Sequence, residues 1–171
     1  NVELIISFID MSEINRNHLF GKLNVQMFRA AEAATVTGKL RGNPYVELVH
    51  WVHQIIQDQD SDFRQILRHY ALNAAVLEKD ITAELDRLPR GATAIVDFSE
   101  HIDSAIERAW IYATLLYGDD VIRGGYLLVG ILKTSNLRAV LYRMSSEFRK
   151  LQPDTVAAGL VAIIQSPPDD D

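Results

Sequence analysis

The sequence predicts an all-α domain in which one four-helix unit is written twice. Three observations carry this. Stretches of the chain resemble each other at a nearly constant offset, apolar residues recur at helical spacing in both copies, and strand-like stretches are almost absent.

The offset is clearest where Val46–Ile56 (VELVHWVHQII) aligns with Ile122–Leu132 (IRGGYLLVGIL), 76 residues on. The same offset pairs Ala33 with Ala109, Leu40 with Leu116 and Gly42 with Gly118. Further along, Ser61–Leu67 (SDFRQIL) aligns with Ser135–Leu141 (SNLRAVL) at an offset of 74, which also pairs Leu77 with Leu151 and Asp80 with Asp154. The two lost residues fall in the polar connection Gln57–Asp60, where a deletion costs little.

Each element then follows from local signals. Met27, Ala30, Ala31 and Ala34, like Ile102, Ile106, Ala109 and Ala113, have i, i+3/i+4 spacing and predict first helices over about Val25–Leu40 and Glu100–Tyr117. Gly42 and Gly118 can end them in the left-handed conformation. Asn43 as a cap and Pro44 at the first position predict a second helix over Pro44–Gln57. Ser61 and Ser135 are candidate N-caps of the third helices, and the fourth are expected to begin near Asp80 and Asp154. Leu88–Phe98 reads as the linker between copies: Pro89 and Gly91 break the preceding helix, and Asp97 with Glu100 could form a capping box. Within it, Ala94–Val96 is the one β-like stretch of the body. Repeat one thus covers about residues 19–88, the linker 89–98 and repeat two about 99–165.

The ends read differently from the body. Met11 looks like an initiator, which makes 1–10 (NVELIISFID) a non-native extension; the alternative is a native first helix or strand. Residues 167–171 have the composition of a linker.

Composition narrows the function classes. The chain has 171 residues, 48% of them apolar, no cysteine and a net charge of −6. That is enough for one core, excludes disulfides and zinc–thiolate sites, and leaves no basic stripe for nucleic acid. No apolar run is long enough to span a bilayer, and an acidic surface suits an anionic membrane poorly. Glu47, His50 and His53 share a helix but lack further converging ligands, so the histidines read as core-edge residues rather than a metal site. Asp97, Ser99 and His101 lie too close in sequence to form a catalytic relay and read as a helix start. Gly124-Gly125 lacks the flanking pattern of a nucleotide loop and reads as close helix packing. Trp51 and Trp110 read as core, whereas Tyr45, Tyr126 and Phe98 lie near helix starts and suit a surface role.

Two tandem units of this length, with Ile122–Leu132 and the Ser-Asp-Phe-Arg-x-Ile-Leu element Ser61–Leu67, resemble the Clp N-domain family over about Leu19–Ile164. Leu19–Leu23 (LFGKL), Leu40–Gln54 (LRGNPYVELVHWVHQ) and Leu85–Ala94 (LDRLPRGATA) resemble its ClpV-type members. The resemblance implies a substrate-recruiting domain of a hexameric AAA+ ATPase in the bacterial cytoplasm. That domain binds the N-terminal helix of the large type VI secretion sheath subunit for ATP-driven sheath disassembly. The chain itself has no G-x-x-x-x-G-K-[ST] loop, so ATP and Mg belong to absent ATPase modules and no cofactor is expected here. Hexamer contacts belong to those modules too, and the isolated domain is expected to be a monomer. The alternatives are a generic Clp N-domain with other clients, or a stand-alone helical scaffold.

A guest helix binds by laying apolar anchors into a groove between host helices. The resemblance implies that the groove involves an extra N-terminal helix, a place occupied here by Leu19–Leu23. The segments leading into the two repeats, Leu19, Phe20 and Leu23 on one side and Phe98 and Ile102 on the other, are therefore expected to line it. The alternative is that all five are core staples.

Overall fold

The structure is a computed structural model that describes residues 16–165. The expectations for 1–10, Met11 and 167–171 lie outside the described residues. A short helical stretch, 16–20, leads into α1 (Val25–Leu40), α2 (Leu48–Gln57), α3 (Asp62–His69) and α4 (Ala74–Asp86). The second copy follows as α5 (Glu100–Leu115), α6 (Gly124–Leu132), α7 (Ser135–Met144) and α8 (Pro153–Ile164). The all-α, twice-written unit is thus the observed architecture.

Capping explains most boundaries, and several differ from those the sequence suggested. The Asn24 side chain accepts the Met27 N–H (2.9 Å) to start α1. Ser99 caps α5 by accepting the His101 N–H (3.2 Å), so the Asp97–Glu100 capping box does not form. Ser61 caps α3 as expected, but in the second copy Thr134 holds the cap position and Ser135 is the first helical residue. α4 starts at Ala74, with Asn73 accepting the Val76 N–H (3.1 Å), and Asp80 is mid-helix. α8 does begin beside Asp154. α5 stops at Leu115 rather than Tyr117. Gly42 (φ +71°) and Gly118 (φ +63°) take the left-handed conformation where each first helix ends.

The largest departure is at α2, which starts at Leu48 instead of Pro44. Asn43 does not cap it, and Tyr45–Val46 forms a strand, β1, that pairs in parallel with β2 (Asp97–Phe98). Val96 donates its N–H to the Pro44 carbonyl (2.7 Å), and Ser99 donates to Val46 (2.9 Å). The linker pairing therefore captures the residues that would otherwise have formed the first helical turn, and it falls just past the β-like Ala94–Val96.

A related pairing sits in the second copy. Leu23 forms a parallel bridge with Ile122; Asn24 donates to the Ile122 carbonyl (2.8 Å) and Ile122 to the Lys22 carbonyl (2.7 Å). Val46 and Ile122 are repeat equivalents, as are Lys22 and Phe98. Each copy's approach to its second helix is therefore paired with the other copy's approach to its first. This crossed exchange ties the two lead-in segments to one shared domain.

The core runs through the second helices. Every residue of α6 is buried. In α2, Trp51 is fully buried and donates its indole N–H to the Met27 carbonyl (3.1 Å). Trp110, by contrast, is only half-buried, with the Lys22 ammonium 5.0 Å from its ring centroid. Close packing does explain the glycines: a Cβ on Gly125 would lie 2.9 Å from Leu160, and one on Gly130 would lie 2.7 Å from the Ala109 backbone nitrogen.

Candidate functional site

The two crossings of the exchange have the same framework and different contents. At the first, Asn43 Oδ1 and His50 Nε2 are 2.8 Å apart, and His50 Nδ1 accepts the Glu47 N–H (2.8 Å). That second bond makes Nε2 the protonated nitrogen, donating to Asn43, whose amide in turn donates to the Pro89 carbonyl (2.9 Å). Burial, and then the charge of Arg41, lowers the His50 pKa to about 4, so the ring is neutral at physiological pH. At the second crossing the equivalent pair is Asp119 and Tyr126, whose hydroxyl donates to the carboxylate (2.9 Å). Tyr126, given a surface role from sequence, is therefore buried.

The contents diverge at Glu47 and its equivalent, Arg123. The Arg123 guanidinium donates twice to Asp62 (2.8 and 2.9 Å), which also accepts the Gly125 N–H (2.9 Å). These charge-assisted bonds raise the Arg123 pKa and fasten α3 to α6. Glu47 has no ion pair among the described residues.

Around Glu47 the surface opens. A cavity of about 460 Å³ is lined by Tyr45, Glu47, Asp97, Phe98, Glu100 and His101. Tyr45 is 43% exposed and Phe98 is half-buried. The Phe98 ring leans on Phe20 (centroids 5.1 Å apart) and lies beneath the Arg16 guanidinium (5.9 Å). Arg16 donates twice to Asp97 (3.0 and 2.6 Å) and once to Asp103 (3.1 Å). The bond from Arg16 holds the Asp97 carboxyl below the usual carboxylate range, whereas burial pushes Asp103 up against the pull of the same guanidinium.

Of the five residues expected from sequence, Phe98 lines this cavity and Phe20 packs on its ring, whereas Leu23 sits at the second crossing, bridged to Ile122. Leu19, Phe20 and Phe98 are half-buried on the core, while Leu23 (8% exposed) and Ile102 (1%) lie within it. Those two are core residues and show almost no side-chain surface. Sequence reasoning singled out Tyr45 and Phe98, set Glu47 aside as a poor metal ligand and Glu100 as a cap, and passed over Arg16, since charged residues near helix starts look like ordinary capping. Among the described residues, no group of three or more His, Asp or Glu side chains could hold a metal ion. No described helix is long and apolar enough to cross a membrane.

The Clp repeat (R) N-terminal domain matches residues 22–144. The chain belongs to the Clp N-terminal domain family. Within it, the chain is similar to ClpV and also, at 43% identity over 156 residues (91% of this chain, 18% of that protein), to the chaperone protein ClpB of Yersinia enterocolitica. The AAA+ ATPase ClpV1 of Pseudomonas aeruginosa is 56% identical over 146 residues, 85% of this chain and 16% of that protein. This Clp N-domain thus spans about a sixth of that relative's length. A solved structure from work on the ATPase ClpV, the TssB-TssC sheath and the accessory HsiE protein is 52% identical, with a TM-score of 0.87, covering 92% of this chain and 98% of that one. A complex of a ClpV N-domain with VipB peptide shares the fold at 20% identity (TM-score 0.78, covering 90% and 93%).

Proposed function

We propose that this Clp N-domain recruits a client to an ATPase motor by seating an amphipathic helix at the crossing of β1 and β2. The client is the N-terminal helix of the large sheath subunit of type VI secretion. The observation that carries this reading is the cavity beside Phe98, where aromatic surface stays open on a framework whose other crossing is bridged by Arg123 and Asp62. The likeness to ClpV1, and the shared fold of a ClpV N-domain solved with VipB peptide, support the choice of client.

The wider activity belongs to the longer protein. ATPase modules carrying ATP and Mg would assemble the hexamer and supply the pulling force in the bacterial cytoplasm. This domain delivers the sheath to them for disassembly and recycling, and in isolation it is a monomer. In this reading Leu19, Phe20 and Phe98 form the apolar shoulder of the groove, and Leu23 and Ile102 belong to the core behind it.

Calorimetric titration with the N-terminal peptide of the large sheath subunit tests the reading. A contact of this size suits micromolar binding in a one-to-one complex. Phe98→Ala should weaken it at least about tenfold, as truncation of a central aromatic anchor does. Unchanged affinity in a folded Phe98→Ala domain would remove the site. Leu23→Asp is a poor probe, because it buries a charge in the core.

A further inference from the structure

We propose that the guest helix read at this crossing carries a basic residue beside its apolar face, recognised by Glu47 and Glu100. The inference rests on the reading above and specifies its partner.

Two observations support it. First, the cavity is apolar at Tyr45 and Phe98, and its rim is acidic at Glu47, Asp97 and Glu100. Asp97 is tied to Arg16, and that single guanidinium also serves Asp103, so the clamp keeps an excess of negative charge. Glu47 and Glu100 form no ion pair among the described residues. The stretches outside them, 1–15 and 166–171, contain no Lys, Arg or His that could supply one.

Second, the pseudo-symmetric crossing supplies a control. There the position of Glu47 is held by Arg123, and the fold provides the counter-charge itself through Asp62. One copy satisfies its charge internally. The other presents an acid of the opposite sign, without an internal cation, at the mouth of an aromatic cleft. Helix capping accounts for the positions of both acids, Glu100 in the first turn of α5 and Glu47 at the N-cap of α2 in a capping box with His50, but neither role supplies a cationic partner. A cationic side chain laid along the rim by a docked helix would complete the set, with its alkyl stem on Tyr45.

The test uses three synthetic amphipathic helices with identical apolar anchors at i, i+3, i+4 and i+7. Their flanking positions carry Lys, Gln or Glu, and binding is read by fluorescence anisotropy. The Lys peptide should bind about fivefold tighter than the Gln peptide at low salt, the scale of one or two exposed ion pairs, and the Glu peptide weaker than both. The preference should collapse in 1 M salt, where the screening length is about 3 Å. Glu100→Gln should reduce it, and Glu100→Lys should turn it toward the Glu peptide. Equal binding of the three peptides would overturn the inference and leave the peptide site standing, as would a preference untouched by Glu100→Lys in a folded domain. Failure of all three, and of the sheath peptide, to bind would overturn both.

Discussion

The two crossings of the shared domain were built to one plan and serve different ends. In each, a loop residue and a residue in the first turn of the second helix hydrogen bond: Asn43 with His50, Asp119 with Tyr126. In each, a backbone pairing ties one copy to the other. The second crossing then closes on the Arg123–Asp62 bridge, whereas the first leaves Tyr45, Phe98 and two acids around a cavity. On the proposed function, one crossing acts as the rigid seam of the duplicated scaffold and the other takes the guest.

The largest effect should come from breaking the closed crossing. Asp62→Ala strips a buried acceptor from three bonds and orphans Arg123, at a cost of about 3 to 4 kcal/mol. At the repeat equivalent, exposed Asn136, alanine should change stability by less than about 0.5 kcal/mol. Urea denaturation of both variants measures the contrast, and equal losses would break it.

Next comes the packing of the second helices. Gly130→Ala drives a Cβ into the Ala109 backbone, which cannot give way, and should cost about 3 kcal/mol. Its equivalent is Gln54, which spans a wider gap to donate to Thr37 Oγ1 (3.3 Å), beside a groove of about 350 Å³ between α1 and α2. Gln54→Ala should stay within about 0.5 kcal/mol. Thermal melts of the pair would show whether the first copy is the looser one.

The crossings should also differ in their response to acid. Burial holds His50 neutral, with its pKa at about 4 rather than the ordinary 6.5. As the pH falls, the unfolded chain takes up the proton first. This contribution to stability is therefore complete above about pH 6.5 and is lost on the way down to pH 4, a change on the order of 3 kcal/mol. Tyr126, pushed up to about 12 chiefly by burial, does not titrate in that window. Denaturation midpoints should therefore fall more steeply between pH 6.5 and 4 in the wild type than in His50→Gln. Parallel slopes would contradict the buried neutral histidine.

The smallest effect concerns the end of α3. Ala71 adopts φ +57°, a conformation that costs a side chain about 1 kcal/mol, and its equivalent Ser145 is extended. Ala71→Gly should raise stability by about 0.5 kcal/mol, visible as a small rise in Tm.

How much of this was legible in the sequence follows from range. The duplication and the all-α class were written in local spacing, and Gly42, Gly118 and Ser61 marked boundaries because their constraints are local. Pro44 misled: it carries a real helix-start signal, but Val96 and Ser99, some fifty residues on, claimed the backbone around it. Thr134 and Asn73 went unseen because an equally plausible cap lay nearby in each case. For the proposed site, Phe20 and Phe98 were singled out because they lead into the repeats. The pairing of Asp62 with Arg123 and the isolation of Glu47 depend on contacts between copies, which spacing along the chain does not encode.

The central claim is that the first crossing, and not the second, receives the guest. Amide chemical shifts recorded while the sheath-subunit peptide is titrated into the ¹⁵N-labelled domain test it most directly. The account predicts shifts concentrated at Tyr45, Phe98, Glu100 and His101, with Lys22, Trp110 and Val121 at the second crossing unmoved. Shifts centred on those last three, or in the groove between α1 and α2, would contradict it.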